Sequence, residues 1–205
     1  YLSPELDFLI EDLETSNKAS KTIKRQEGSY TDLYFNYSIN QDLRDKKFRT
    51  EDGFVTTFSQ ELPIVSDNSE ISNAFDITKY KKLSTRSDIV GKVSFFGKTI
   101  TGLSDDVRIS KRLYIPSSRL RGFEKGKVGP VDNNDYIGGN HLSSINMSAT
   151  LPNILEGLDN LDVGVFLDAA NIWGVDYDSS LDDKSTIRSS VGVGLNLLTP
   201  IGPLS

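Results

Sequence analysis

The chain of 205 residues has no cysteine, one histidine, one methionine and one tryptophan. Without cysteine, these residues hold no disulfide, zinc–thiolate site, iron–sulfur cluster or thiol nucleophile. The lone histidine, His141, leaves no room for a polyhistidine metal site. Long hydrophobic runs are missing too, since no stretch approaches the ~20 apolar residues of a membrane-crossing helix. A transmembrane β-strand asks for less, ~10 residues of alternating hydrophobicity. An apolar content of 37% is compatible with such strands. One kind of membrane crossing is therefore excluded and the other is left open.

Bases are scarce in one part of the chain. Overall, 29 acids against 23 bases give a net charge of −6, but residues 130–205 contain only two bases, Lys184 and Arg188, against ten acids. Neither part offers a basic field for nucleic acid. The runs Lys18, Lys21, Lys24, Arg25 and Lys79, Lys81, Lys82 are short, lie beside loops and lack aromatics spaced as stacking platforms.

What the sequence does have is alternation. Leu6, Phe8 and Ile10 alternate with Glu5, Asp7 and Glu11, a weaker strand signal followed by a polar span over 14–28. Thr31, Leu33, Phe35, Tyr37 and Ile39 share one face opposite Asp32, Tyr34, Asn36 and Ser38. A charged segment ends at Asp52-Gly53, where glycine eases the turn into a strand carrying Phe54, Thr56, Phe58 and Leu62 on one side. Pro63 to Ser69 is expected to be a connection. Two further strands put Ile71, Phe75 and Ile77, then Ile89, Gly91, Val93 and Phe95, on one face. Three more place Ile145, Met147, Ala149 and Leu151; Leu161, Val163, Val165 and Leu167; and Val191, Val193, Leu195 and Leu197 on theirs.

Between these groups, about residues 98–137 form an irregular stretch far longer than the usual ~4–6-residue connection. It is either a functional loop or disorder, and its aromatic and aliphatic content argues against a plain linker. No run shows convincing helical periodicity, although 1–14 and 105–115 have room for a helical turn or two. The chain reads as all-β. In the last three strands the non-apolar face is mostly Gly, Ser, Asn, Thr and Asp, suited to a crowded wetted lumen, and the other face is continuous and aliphatic, as lipid-facing positions should be. The pattern favours a transmembrane antiparallel β-barrel over a soluble sandwich or barrel. A repeat solenoid is disfavoured, since no fixed period is visible.

Several polar groups are read as structural. His141 has no neighbouring histidine or cysteine and reads as a packing or rim residue. Asp176, Asp178, Asp182 and Asp183 lack the glycine and terminal glutamate of a calcium loop. Trp173 and Tyr177 suit an interfacial aromatic belt or plain local packing. Glu5, Asp7, Glu11 and Asp12 show no acid–base pairing, and Gly122, Gly126 and Gly129 do not have a phosphate-loop spacing.

The long loop contains Leu120-Arg121-Gly122-Phe123, then Gly126, Val128, Gly129 and Pro130, and leads through Tyr136-Ile137-Gly138-Gly139-Asn140 into a strand. This resembles the barrel of the outer-membrane protein assembly factor family, the BamA-like surface antigens, whose sixth extracellular loop carries a Val/Ile-Arg-Gly-Phe motif. The next strand in that family begins with Gly-Gly-Asn. Phe166-Leu167-Asp168-Ala169-Ala170-Asn171-Ile172-Trp173 resembles the family's Phe-x-Asp-x-Gly segment ending in Trp, with Ala170 where Gly is usual. Gly192-x-Gly194 through Thr199-Pro200-Ile201-Gly202-Pro203-Leu204 resembles its Gly-x-Gly strand and Pro-x-Gly-Pro turn. Asp42-x-Arg44-Asp45 and Phe48-x-x-x-Asp52-Gly53 are similar to its turn before a barrel strand. The blocks run in order over about residues 40–205. The full set is more similar to the assembly factors than to the translocation modules, two-partner secretion pores or organellar homologues.

The resemblance implies a partial barrel, about eight of sixteen strands, with residues 1–205 a fragment of one barrel domain. POTRA domains and the first and last barrel strands would lie outside this chain. It also implies that the loop folds into the lumen, with Leu120, Arg121, Gly122 and Phe123 as its working motif. Gly129, Pro130, Gly138, Gly139 and Asn140 would be structural residues of the loop and strand start. An arginine on a glycine-relieved turn suits a forked pair with a carboxylate. Phe166 and Asp168 share one side of a strand, ~7 Å apart, and are the wall partners the resemblance assigns. Ser148 stands where many family members have Glu, which leaves Asp168 or a backbone acceptor for Arg121. The implied function is non-enzymatic and cofactor-free: assembly of β-barrel proteins into the bacterial outer membrane. Its partners would be unfolded barrel proteins, accessory lipoproteins and outer-membrane lipids. The alternatives are a related translocation or secretion pore and, from another class, a soluble all-β binding module.

Overall fold

The computed structural model describes residues 1–84, 86, 88–152, 161–176, 185–199 and 202–204. Its strands are Leu2–Leu13 (β1), Gly28–Asp42 (β2), Asp52–Ser66 (β3), Glu70–Lys82 (β4), Val90–Gly102 (β5), Val131–Asp132 (β6), Asp135–Tyr136 (β7), His141–Leu151 (β8), Leu161–Trp173 (β9), Arg188–Thr199 (β10) and Gly202–Leu204 (β11). A single helical turn, Lys21–Lys24 (α1), interrupts the β1–β2 connection, with Ser20 as its N-cap. All strands but β6 and β7 form one antiparallel sheet in the order β1-β2-β3-β4-β5-β8-β9-β10-β11. Chain order is thus spatial order, and the β6–β7 ribbon sits within the one long excursion, from β5 to β8. Among the described residues the sheet is open: eight long strands and a short ninth, a barrel wall in part.

Alternation decides which face is which. Along one face, Val93, Met147, Leu167 and Val191 fall side by side in register, as do Ile77, Phe95 and Ile145. These apolar side chains point outward with little cover: Val191 is 80% exposed and Phe8, on β1, 66%. A soluble sandwich would bury this row, so the face fits hydrocarbon instead. The opposite face is polar and small, and the buried core lies there, between sheet and loop. Ile100, Leu142, Ala170 and Ile172 from the wall meet Val107, Leu113, Ile115, Leu120 and Val128 from the loop, with Phe96 and Phe123 against them.

Several expected boundaries shift. The loop runs over 103–140 rather than about 98–137, because β5 continues through Lys98 and Ile100 to Gly102. Gly97 interrupts the apolar alternation, yet Ile100 simply turns inward under the loop, 4% exposed. Pro63 lies inside β3, which runs to Ser66 instead of ending in a connection. A register shift opposite Leu33/Tyr34 accommodates it, as proline in a strand requires. Residues 1–14 hold no helical turn: β1 pairs with β2 over its whole length. Residues 105–115 contain only turns and a short bridge at Leu113.

The β2–β3 turn bears out its motif. Arg44 forks onto Asp42, donating from Nε at 2.8 Å and from Nη2 at 2.7 Å, while Asp45 accepts from the amides of Glu51 and Asp52. Gly53 has φ +99°, and a Cβ there would lie 2.2 Å from the Leu43 carbonyl oxygen.

Candidate functional site

The register of four strands builds a platform on the inner face. Lys92, Ser148, Phe166 and Gly192 form one row across β5, β8, β9 and β10, and Ser94, Asn146, Asp168 and Ser190 form the next. A Cβ on Gly192 would stand 2.6 Å from Phe166 Cζ, so glycine leaves the space into which the ring lies. Phe166 and Asp168 are thereby presented together, two residues apart on one side of β9.

Arg121 descends onto this platform from the loop. Its Nε donates to Asp168 Oδ2 at 2.7 Å, its Nη2 to Oδ1 at 2.7 Å and its backbone N–H to Oδ2 at 3.1 Å. The guanidinium carbon lies 3.5 Å from the centre of the Phe166 ring. Asn146 Nδ2 completes the carboxylate at 2.8 Å and also donates to the Arg119 carbonyl. Asp168 is fully buried, with four donors on two oxygens, so its charge is met in a planar fork that lysine cannot reproduce. Ser148 lies beside Phe166 with no carboxylate, and Asp168 is the acid that Arg121 finds.

The flanking loop residues seat the arginine. Leu120 is 2% exposed in the core, and Phe123 packs against the same cluster. Gly122 has φ +82° and Gly129 +119°; a Cβ at Gly129 would lie 2.6 Å from Ile172 Cγ2. Pro130 is fully buried and accepts from the Ile137 amide. Gly138, at φ +69°, approaches the Leu113 carbonyl oxygen, and Gly139 exchanges backbone hydrogen bonds with Leu113. Asn140 donates to Asp176 Oδ1 at 2.5 Å, whose other oxygen accepts from Val107 N–H at 2.8 Å. His141 packs on Trp173, ring centres 5.7 Å apart. Tyr177, Asp178, Asp182 and Asp183, and Pro200 and Ile201 of the Pro-x-Gly-Pro turn, lie outside the described residues. Among the described residues no group of three His, Cys, Asp or Glu side chains is arranged to hold a metal.

Sequence reasoning missed two arginines. Arg119 pairs with Asp76 and stacks on Phe96, 4.6 Å away. Arg108, with no exposed surface, pairs with Asp32 and lies 3.8 Å from Glu70, both equally buried. Glu11 is 3.4 Å from it and the Tyr30 ring 4.4 Å. Tyr34 donates to Glu70 at 2.5 Å, and Lys111 sits over the Tyr34 ring. Burial pulls the Arg108 pKa down, but the hydrogen bond to Asp32 and the carboxylates around it outweigh that, and the net shift is upward. Nothing local distinguishes Arg108 from its basic neighbours; its acids come from β1, β2 and β4.

An outward apolar face, an inward polar one and a long loop folded back over the inner face together define a class: the wall of an outer-membrane β-barrel with a lumen-lining loop. Residues 6–205 match the model of the Omp85 superfamily domain, and the chain belongs to that superfamily. It is similar to the outer membrane protein assembly factor BamA of Neorickettsia risticii (strain Illinois), 23% identical over 190 residues, which are 91% of this chain and 26% of that protein. Among solved structures, BamA from Haemophilus ducreyi lacking POTRA domains 1–3 shares the fold, with a TM-score of 0.74 at 22% identity. That match covers 86% of this chain and 38% of the other. The chain thus spans about a quarter of the length of the curated relative it matches.

Proposed function

We propose that this chain is part of the central barrel of a machine that folds and inserts β-barrel proteins into the bacterial outer membrane, without enzymatic chemistry. The observation that carries the reading is the fork of Arg121 on Asp168 over the Phe166 ring, in a chain of the Omp85 superfamily. It pins the long loop to the lumen face, where the loop braces the wall in an assembly-competent shape. Leu120, Gly122 and Phe123 give the arginine its approach, and Gly129, Pro130, Gly138, Gly139 and Asn140 shape the loop's return into β8.

The working surfaces of such a wall are its strands and its lipid-facing side. The partners proposed are unfolded outer-membrane β-barrel proteins, outer-membrane lipids and accessory lipoproteins. The energy comes from strand pairing and burial of apolar surface in lipid.

The test replaces the only cellular copy of the full-length protein with an Arg121→Ala variant. Outer-membrane levels of other β-barrel proteins are expected to fall while the variant itself is still present and folded. Unchanged levels, together with a loop still protected from protease, would refute the reading.

A further inference from the structure

The long loop is fastened to the wall by three arginines built alike, only one of which lies in the Leu-Arg-Gly-Phe segment. Arg121 pairs with Asp168 over Phe166, Arg119 with Asp76 over Phe96, and Arg108 with Asp32 beside Tyr30. Each has a carboxylate for its charge and an aromatic ring for its flat face.

Arg108 is the most deeply placed. Its side chain and those of Asp32 and Glu70 have no exposed surface. Such a group persists in a fold only where its charge and donors are met, since an unpaired buried ion is costly. The acids that face it come from every element packed around it: Glu11 on β1, Asp32 on β2 and Glu70 on β4. Each acid is held in turn, Asp32 by Ser66 Oγ at 2.6 Å and Glu70 by Tyr34 Oη at 2.5 Å. Lys111, 4.0 Å from Glu70, brings the second positive charge. The backbone nearby is tied to the same region: Ile109 N–H donates to Gln26 and Ser110 Oγ to Glu11, both at 2.8 Å.

We propose that Arg108 is a positioning residue, a second buried latch that fastens the start of the long loop to β2 and β4 so that Arg121 meets Asp168 on β9. Arg121 alone holds one side of the loop. With Arg108 the loop crosses the inner face from β2 to β9, and the strands between are bridged by one segment. The latch rests on the reading of the loop as a brace of the assembly barrel, but its test reads the loop's seating directly and does not depend on assembly activity.

The experiment uses the folded full-length protein and measures proteinase K cleavage within residues 103–140. In Arg108→Gln, cleavage is expected to rise about tenfold, with the barrel before proteolysis still showing its folded, heat-modifiable band in unheated electrophoresis. The isosteric Asp32→Asn is expected to act in the same direction and carries the test if Arg108→Gln does not fold. The double variant, which removes both charges, is expected to be cut less than the product of the two single effects, a coupling that general loosening would not give. Cleavage within about twofold of wild type in the single variants, or strictly multiplicative effects in the double, would overturn the latch. Loss of loop seating with wild-type insertion activity would count for the latch and against the assembly reading.

Discussion

Gly192 lies directly across the β9–β10 ladder from Phe166, and a methyl group on it would stand 2.6 Å from the tip of the Phe166 ring. The glycine is therefore part of the arginine site even though it carries no side chain. Gly192→Ala is expected to push the ring from beneath Arg121 and to cost about 1–3 kcal/mol, the usual range for overpacking. The check is the urea midpoint of the folded full-length barrel, together with hydrogen exchange at the Arg121 amide. In Gly192→Ala the midpoint should fall and the Arg121 amide should exchange faster, whereas Gly194→Ala, where a Cβ meets nothing within 4 Å, should leave Arg121 alone.

Arg121→Lys keeps the charge and loses the fork. Asp168 then retains Asn146 and the backbone amide of residue 121, and the ammonium meets it as a point charge without two parallel N–H donors. The expected loss is about 1–3 kcal/mol of loop seating, the range for charge-assisted hydrogen bonds. Protease protection of the loop should rank wild type above Arg121→Lys and Arg121→Lys above Arg121→Ala. Equal protection in the lysine variant would show that charge alone suffices.

At Gly129 two costs coincide, a left-handed backbone at φ +119° and a Cβ that would meet Ile172 at 2.6 Å. Gly129→Ala is expected to unseat the loop by about 1–3 kcal/mol. Adding Ile172→Ala removes the clash but not the backbone strain, so the double variant should recover only part of the loss relative to Ile172→Ala alone. Full recovery would place the whole cost in the contact.

Asp176 joins the two ends of the loop by accepting from Val107 N–H and Asn140 Nδ2. Asp176→Ala leaves both donors without that acceptor and is expected to cost about 1–3 kcal/mol. Faster amide exchange at Val107, with exchange in β8 and β9 unchanged, is the signature to look for.

Much of this architecture was legible in the sequence because a barrel wall needs only alternation, and alternation survives in short windows. Ile145 to Leu151 and Val191 to Leu197 show it without interruption. Arg121, Phe166 and Asp168 were legible through the family resemblance, because the loop motif and the two-residue spacing on a strand that carry it are both local. What escaped was decided at a distance. The charged alternates of β1 made it look weak, yet Asp7 is met by Asn36 and Glu11 by Ser110 and Arg108. Pro63 reads as a break until the register shift against β2 is seen. Arg108 looks like any loop base until the fold brings Asp32 and Glu70 to it.

The central claim is that the seated loop serves insertion of other barrels, and the most direct measurement is made in lipid vesicles. Full-length protein, wild type or Arg121→Ala, is reconstituted at equal folded amounts, and the insertion rate of an unfolded outer-membrane β-barrel protein is followed by its heat-modifiable band. Wild type is expected to accelerate insertion over empty vesicles and Arg121→Ala to lose about tenfold of that rate, equivalent to ~1.4 kcal/mol. Equal rates for the two proteins, or no acceleration by wild type, would contradict the account.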